Sequence, residues 1–296
     1  MKIMIMGAGA LGCYFGGRLQ AAGHDVTYVA RGAHLKAMQA KGLRVESGAG
    51  DLFLPEVTAV AHPSEAETPD AVFFLVKNYD VEEAAGTLLP TLGPETFLVT
   101  GQNGVTAPDR LGAVVDMERV VPGVVRHPSE IHELFIGEPD GTRSARVDAF
   151  NDAVNGAGMT GIVADNIRAT LWGKFVMQSA FSALTALTRL NIGPIRETPE
   201  TLALLEAAID EAAEVARAAS PAFHEDMAAN AKAFLLERAP PHVHASMLDD
   251  LNRGKRIELD YLSGDVVRLG REAGVPTPVH SFVTAALTPY LNGAPG

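Results

Sequence analysis

The stretch KIMIMGAGALGCYFGG, Lys2 to Gly17, decides the fold of this chain. It begins with apolar residues of strand length, passes through closely spaced glycines and continues with the composition of a helix. A strand that runs into a glycine turn and then a helix is the opening unit of a doubly wound α/β domain. The rest of the first half should therefore repeat this alternation.

The alternation does recur along the first half of the sequence. The candidate strands are Lys2–Met6, Asp25–Ala30, Ala71–Val76, Thr96–Thr100 and Arg119–Val125. Several are apolar on both faces, as are the strands of a parallel sheet that helices cover on both sides. Residues 11–23 and 81–92, which lie between them, have helical length and composition. We predict a Rossmann-type doubly wound α/β domain over residues 1–166.

The second half has a different pattern. Long stretches rich in alanine and leucine, such as residues 200–219 and 258–274, place apolar residues at steps of three and four. That spacing is typical of amphipathic helices, so residues 167–296 should form an all-helical C-terminal domain. Residues 220–230 and 237–247 are predicted to be loops between the helices.

Composition excludes several classes of partner. The net charge of -12 argues against nucleic acid, which requires a concentrated basic surface. No run approaches the roughly 20 apolar residues needed to span a bilayer, so we expect no membrane partner. The single cysteine, Cys13, excludes an internal disulfide and suits a reducing compartment. We expect a cytoplasmic protein, and the sequence leaves open whether it forms a homodimer.

The glycines after the first strand form the motif G-x-G-x-x-G. Gly7 permits a tight turn, Gly9 lets a pyrophosphate approach the backbone, and Gly12 allows close packing of helix on strand. A merely flexible turn is the alternative, but the strand before the motif and the helix after it favour dinucleotide binding. The predicted phosphate-binding loop comprises Gly7, Ala8, Gly9, Ala10, Leu11 and Gly12.

Other strand ends carry residues that suit a particular dinucleotide. The second strand is followed by Arg31, where an NAD-preferring site usually has Asp or Glu. A guanidinium suits a 2′-phosphate, so NADP(H) is the predicted cofactor. Lys77 and Asn103 follow two further strands, at the edge where such sheets bind ligands. A solvated Arg31 and ordinary Asn-Gly turn chemistry at Asn103 are the alternatives.

Residues 171–187 read as one long apolar helix that nevertheless contains Lys174, Gln178 and Ser182. Steps of four residues place these three side chains on one face, and such a polar stripe should border a cleft. A desolvated lysine needs a carboxylate or an anionic ligand, and Glu258, among apolar residues, is a candidate partner. The alternative is that Lys174 extends into solvent.

Several segments resemble the ketopantoate reductase family over essentially the full length of the chain. They occur in the order and at the spacing of that family. The segments are IMGAGALGCYFGGRL (Ile5–Leu19), ARGAHL (Ala30–Leu35), FLVKNYDV (Phe74–Val81), TGQNGV (Thr100–Val105), NIRATLWGKF (Asn166–Phe175) and the run from Ser246 to Pro278.

The resemblance implies NADPH-dependent reduction of a 2-keto acid, giving (R)-pantoate from 2-dehydropantoate on the pantothenate route to coenzyme A. It implies that Lys174 is the acid that protonates the new alkoxide and that Glu258 assists the lysine and the cofactor. Asn103 would lie against nicotinamide and substrate, and Ser246 would contact the substrate carboxylate. From these roles we expect Asn103 of the first domain to face Lys174 of the second.

The chain departs from the family pattern at two positions. Gln178 and Ser182 stand where the family normally has asparagines that bind the substrate. Both can still hydrogen-bond, but the pocket shape must differ, so another branched 2-keto acid is an alternative substrate. A non-catalytic NADP-binding sensor is a further alternative, which the presence of both Lys174 and Glu258 disfavours.

We predict no metal site. His242 and His244 form an H-x-H with His224 upstream, but a metal would require a third ligand and supporting groups. We interpret them as histidines of surface loops.

Overall fold

A computed structural model of the protein describes residues 1–126 and 132–295. The chain divides into two compact units. The first unit comprises Met1–Gln102 and Thr106–Ile167, and the second comprises Asn103–Val105 and Arg168–Gly296. Residues 127–131 and 296, which the predicted domains include, lie outside the described residues.

The described strands all belong to the first unit and are short. In chain order they are β1 (Lys2–Met6), β2 (Asp25–Val29), β3 (Leu43–Val45), β4 (Leu52–Leu54), β5 (Thr58–Val60), β6 (Ala71–Phe74), β7 (Phe97–Thr100), β8 (Val120–Val121), β9 (Gly123–Arg126), β10 (Glu133–Ile136) and β11 (Thr160–Val163).

The helices of the first unit connect these strands. They are α1 (Ala10–Ala21), α2 (Gly32–Lys41), α3 (Val81–Leu88), α4 (Ala107–Val115) and α5 (Ala145–Gly156).

From residue 167 onward the chain is helical. Its helices are α6 (Ile167–Thr188), α7 (Ile192–Glu197), α8 (Pro199–Ala219), α9 (Glu225–Ala233), α10 (Ser246–Asn252), α11 (Ser263–Ala273) and α12 (Pro278–Leu287).

The central sheet of the first unit is parallel, with strand order β5-β2-β1-β6-β7-β8. The order reverses at β1, which is the switch point where doubly wound sheets bind ligands. Met6, the last residue of β1, is level with Val29 of β2 and Phe74 of β6. Separate hydrophobic clusters cover the two faces of the sheet. This architecture confirms the predicted Rossmann-type fold.

The prediction of one strand over Arg119–Val125 is wrong. The segment contains β8, at the edge of the central sheet, and β9, which pairs antiparallel with β10 in a second sheet. Pro122 separates them, because it has no N–H to donate to a strand ladder. The short strands β3, β4, β5, β10 and β11 were not predicted.

The second unit confirms that the C-terminal part is helical, and it corrects the predicted bounds of some helices and loops. Its core is one hydrophobic cluster that includes residues of α6 and α8, with Val176, Leu184 and Ile209 fully buried. The predicted helix over 258–274 begins instead as a 3₁₀ turn, Leu259–Tyr261, before α11. The predicted loop over 220–230 is wrong in part, because α9 starts within it. None of the helices in the described residues is both long enough and apolar enough to cross a membrane.

A buried histidine joins three helices of the second unit. His280 of α12 lies 3.0 Å through Nε2 from the carbonyl oxygen of Ala208 in α8 and 3.2 Å through Nδ1 from Oγ of Ser263 in α11. A carbonyl only accepts, so Nε2 carries the proton and Nδ1 accepts from the serine. Burial lowers the pKa of His280 to about 4, so the ring is neutral near pH 7.

We expect His280 to make the protein acid-sensitive. The unfolded chain takes up a proton near the ordinary pKa of 6.5 and the folded chain only near 4, so stability falls as the pH drops between these values. The expected loss is about 3 kcal/mol by pH 4. Urea unfolding at pH 7.5 and pH 5 should show a smaller pH effect in His280→Gln than in the wild type.

The matched control for this measurement is His242→Gln, since His242 is exposed. The backbone N–H groups of Val279 and His280 donate to the Glu211 carboxylate, whose pKa is raised by burial. That acid is present in all three proteins, so the comparison isolates the imidazole. Equal pH effects in the wild type and His280→Gln would contradict the prediction.

Candidate active site

The glycine loop has the geometry that a dinucleotide phosphate requires. Gly7 has φ +103°, and a Cβ there would lie 2.8 Å from the backbone nitrogen of Val76. A Cβ on Gly12 would lie 2.3 Å from the carbonyl oxygen of Gly7, so α1 packs directly on the loop. A Cβ on Gly9 would meet no atom within 4 Å, which leaves open space beside the first turn of α1. The loop therefore fits a pyrophosphate at a helix N-terminus.

The remaining loop residues, Ala8, Ala10 and Leu11, complete this turn. The N–H of Ala8 donates to the carbonyl of Val29 at 3.2 Å, which fastens the loop to the end of β2. Ala10 is exposed and begins α1, whose first N–H groups have no partner inside the helix. Cys13 packs beneath the loop, and burial raises the pKa of its thiol to about 11. The thiol therefore stays protonated at neutral pH.

Arg31 lies just after β2, the position predicted from the sequence. It precedes α2 at the N-cap position and is exposed. Its Nη2 lies 3.7 Å from Oε1 of Glu83 in the first turn of α3. A guanidinium at this strand end is available to an anionic group on a ribose.

Gln102 is a positioning residue that sequence reasoning missed. It is buried, and its Nε2 donates to the carbonyl oxygens of Phe74 at 2.8 Å and Val76 at 3.4 Å. These bonds fasten the end of β7 to the end of β6, immediately before half-buried Lys77. The sequence signal that could have identified Gln102 is its position at a strand end, directly before the predicted site residue Asn103.

The second unit brings Asn103 and Lys174 into contact. The Lys174 Nζ donates a hydrogen bond to Oδ1 of Asn103 at 2.9 Å. This differs from the expectation that the two residues face each other from separate domains, because Asn103–Val105 groups with the helical unit. Gly104, with φ +88°, allows the close approach of this turn to Tyr261, since a Cβ would lie 2.9 Å from the Tyr261 carbonyl oxygen.

Glu258 belongs to the segment against which that turn packs. It immediately precedes the 3₁₀ turn Leu259–Tyr261 and is only 5% exposed. A buried carboxylate requires polar or charged partners. The second unit thus holds an ammonium, an amide and a buried carboxylate on neighbouring segments.

The polar stripe on α6 continues beyond Lys174. The Nε2 of Gln178 donates to Oγ of Ser182 at 3.0 Å, so the two side chains share one face as predicted. Ser182 is fully buried and Gln178 is half-buried. Ser246, which is exposed, begins α10, and the preceding N–H of Ala245 donates to Oγ1 of Thr185 in α6 at 3.4 Å. That bond fixes the start of α10 one turn beyond Ser182.

Comparison with known proteins decides the family. Residues 3–137 match the model described as ketopantoate reductase PanE/ApbA, and residues 166–290 match its C-terminal counterpart. The 2-dehydropantoate 2-reductase of Mesorhizobium japonicum is 33% identical, with 96% of both chains covered. The chain belongs to the ketopantoate reductase family. The resemblance seen in the sequence is thereby confirmed, and the protein is a member of an oxidoreductase family.

Other members of the ketopantoate reductase family agree with this assignment. The 2-dehydropantoate 2-reductase of Archaeoglobus fulgidus is 31% identical, with 94% of both chains covered. The crystal structure of a PanE/ApbA family ketopantoate reductase from Ralstonia eutropha JMP134 matches with a TM-score of 0.88 at 32% identity, covering 98% of each chain. The fold alone is shared with D-mandelate dehydrogenase, solved with NADH and anilino(oxo)acetate, at a TM-score of 0.88 and 21% identity, covering 98% of each chain.

Of the three histidines interpreted as residues of surface loops in this ketopantoate reductase family member, His224 and His242 are exposed and His244 is half-buried. His244 contacts Oδ1 of Asn191 at 2.8 Å and Oδ1 of Asp249 at 3.2 Å, one through each ring nitrogen. Within residues 1–126 and 132–295, no group of three or more His, Cys, Asp or Glu side chains is arranged to hold a metal ion.

Proposed function

We propose that this protein reduces a 2-keto acid to a 2-hydroxy acid with NADPH, and that 2-dehydropantoate is the first substrate to test. The product would be (R)-pantoate. The supporting observation is the Lys174 ammonium, held 2.9 Å from the Asn103 oxygen in a member of the ketopantoate reductase family.

The first unit supplies the residues proposed to bind the phosphates of the cofactor. The backbone of Gly7–Gly12 would receive the pyrophosphate at the start of α1. Arg31 would pair with the 2′-phosphate, while Lys77, Asn103 and Glu258 are proposed as further cofactor contacts. When bound, NADPH supplies the hydride for the keto carbon.

Lys174 is proposed to act on the keto oxygen. Negative charge builds on that oxygen during reduction, and an ammonium within hydrogen-bonding distance stabilises the charge and donates the proton. The amide of Asn103 accepts a hydrogen bond from Nζ and so orients the ammonium without adding a charge of its own. Buried Glu258 is proposed to keep the lysine protonated between turnovers.

Three residues are proposed to bind the rest of the keto acid. Ser246 would contact the carboxylate, and Gln178 and Ser182 would hydrogen-bond the hydroxyl and carboxylate groups of the substrate. The hydrogen bond between Gln178 and Ser182 favours a second candidate, another branched 2-keto acid. Two side chains that bond each other offer fewer free donors and acceptors than two independent amides do.

A substrate panel tests this proposal. We expect NADPH oxidation with 2-dehydropantoate, 2-ketoisovalerate or a related branched acid, with kcat/KM at least about tenfold above that for pyruvate, because the apolar branch adds binding energy. Steady-state absorbance at 340 nm gives the rates, and chiral chromatography identifies the product. An aryl 2-keto acid is included because a protein of the same fold binds anilino(oxo)acetate.

The panel also decides between the two candidates. A clear preference for 2-dehydropantoate supports the first, and a clear preference for another branched acid supports the second. If no 2-keto acid is reduced although the folded protein binds NADPH, the proposed activity is wrong.

A further inference from the structure

An exposed ion pair joins two elements at the proposed cofactor edge. Arg31 follows β2, and Glu83 lies in the first turn of α3, which follows β6. Arg31 Nη2 lies 3.7 Å from Glu83 Oε1, and the two side chains are 63% and 73% exposed.

The sheet topology places this pair across the glycine loop. β2 and β6 are the two neighbours of β1, and the three strands end level with one another. Neighbouring strands lie about 4.8 Å apart, so β2 and β6 are about 10 Å apart with β1 between them. A contact from the end of β2 to the start of α3 must therefore cross the edge at which Gly7–Gly12 opens.

The two adjacent glutamates of α3 have different partners. Glu82 binds Arg110 of α4 through both oxygens, at 2.6 Å each. Among the described residues, the carboxylate that lies within 4.0 Å of Arg31 is that of Glu83. The first turn of α3 thus carries two negative charges. Glu82 pairs with Arg110, and Glu83 pairs with Arg31, the residue proposed to bind the 2′-phosphate.

We propose that Glu83 determines how strongly the site discriminates between NADPH and NADH. This inference rests on the proposed role of Arg31 as the partner of the 2′-phosphate. The Glu83 carboxylate competes with the 2′-phosphate for the guanidinium, and its negative charge also repels the phosphate. The uncharged 2′-hydroxyl of NADH is not repelled and does not compete for the ion pair. Because an exposed ion pair is weak, the phosphate displaces it, and Glu83 weakens phosphate binding without preventing it.

The test measures binding of 2′,5′-ADP and 5′-AMP, which differ by the 2′-phosphate alone, by isothermal titration calorimetry. At low ionic strength we expect Glu83→Gln to bind 2′,5′-ADP about threefold to tenfold more tightly, with 5′-AMP changed less than about twofold. The gain should shrink at 0.5 M salt, since exposed charges are screened. NADPH and NADH titrations should show the same change in ratio.

Matched variants separate the local effect from a change in net charge. Glu82→Gln alters the same charge one residue away, at a carboxylate bound to Arg110, and should leave the ratio of the two affinities nearly unchanged. Arg31→Ala should remove most of the preference for 2′,5′-ADP. In the Arg31→Ala background, Glu83→Gln should then give a smaller gain than in the wild type.

The remaining outcomes overturn the inference in distinguishable ways. If the wild type prefers 2′,5′-ADP and loses this preference in Arg31→Ala, but Glu83→Gln changes nothing, the inference alone fails. It also fails if Glu82→Gln gives the same gain, or if Glu83→Gln weakens 5′-AMP, which would make Glu83 a ribose-binding residue. If the wild type shows no preference for 2′,5′-ADP, the inference and the proposed choice of NADPH both fail.

Discussion

Replacing Lys174 by alanine is expected to lower kcat for 2-keto acid reduction about 1,000-fold, because a positioned proton donor is typically worth about 10² to 10⁴ in rate. Binding of NADPH should change little, since the phosphate-binding residues proposed above lie in the first unit. Steady-state rates and calorimetric titration of NADPH measure the two effects separately. The hydrogen bond from Nζ to Asn103 supports this expectation, because it holds the ammonium in place.

Two comparisons make the Lys174 prediction specific. Lys232→Ala removes a lysine from α9 that pairs with Asp210 on the surface of the same unit, and it should leave kcat unchanged. Added ethylamine should restore part of the activity of Lys174→Ala but not of a misfolded protein. Unchanged turnover in Lys174→Ala, with NADPH bound normally, would falsify the catalytic assignment.

Asn103→Ala addresses the positioning of the ammonium in the same assay. Loss of the amide oxygen removes the hydrogen bond that orients Nζ, without removing the ammonium itself. A smaller loss of kcat than in Lys174→Ala would be consistent with orientation rather than proton donation. This comparison therefore separates the two roles proposed for the pair.

Local patterns in the sequence were sufficient to predict most of the fold. The glycine loop, the parallel strands and the long helices α6 and α8 depend on spacings within a few residues, which the sequence displays directly. The split at Pro122 was missed because the surrounding apolar run looks continuous. The three-residue strands β3 and β4 are too short to produce a periodic signal, and their pairing is decided by tertiary contacts.

The candidate site was less predictable than the fold, for a physical reason. That Lys174 faces Asn103 was expected only from the family resemblance. Their contact joins positions 71 residues apart, and no local pattern encodes it. The same is true of Gln102, whose side chain donates to the carbonyls of Phe74 and Val76. The ion pair of Arg31 with Glu83 depends on the strand order, which becomes known only with the sheet.

Gly12 and Gly9 lie in the same loop, but alanine should impair a different property at each position. Gly12→Ala should lower the stability of the protein, and Gly9→Ala should lower its affinity for NADPH. A Cβ on Gly12 would lie 2.3 Å from the Gly7 carbonyl oxygen and 2.9 Å from Cγ2 of Ile5, and neither the backbone nor the buried strand can move cheaply. We expect Gly12→Ala to destabilise the protein by about 3 kcal/mol, the upper part of the usual range for overpacking. Urea unfolding of the whole chain measures this loss.

Gly9→Ala should fold normally and bind the cofactor poorly. Gly9 has φ -79° and ψ -165°, which any residue adopts, and a Cβ there meets no protein atom within 4 Å. Its stability should stay within about 0.5 kcal/mol of the wild type. The added methyl would occupy the space proposed for the pyrophosphate, so NADPH affinity should fall about tenfold or more, about 1.4 kcal/mol. If Gly9→Ala binds NADPH as tightly as the wild type does, the phosphates do not lie beside Gly9. A Cβ at this position meets no protein atom, so only a bound ligand could require glycine there.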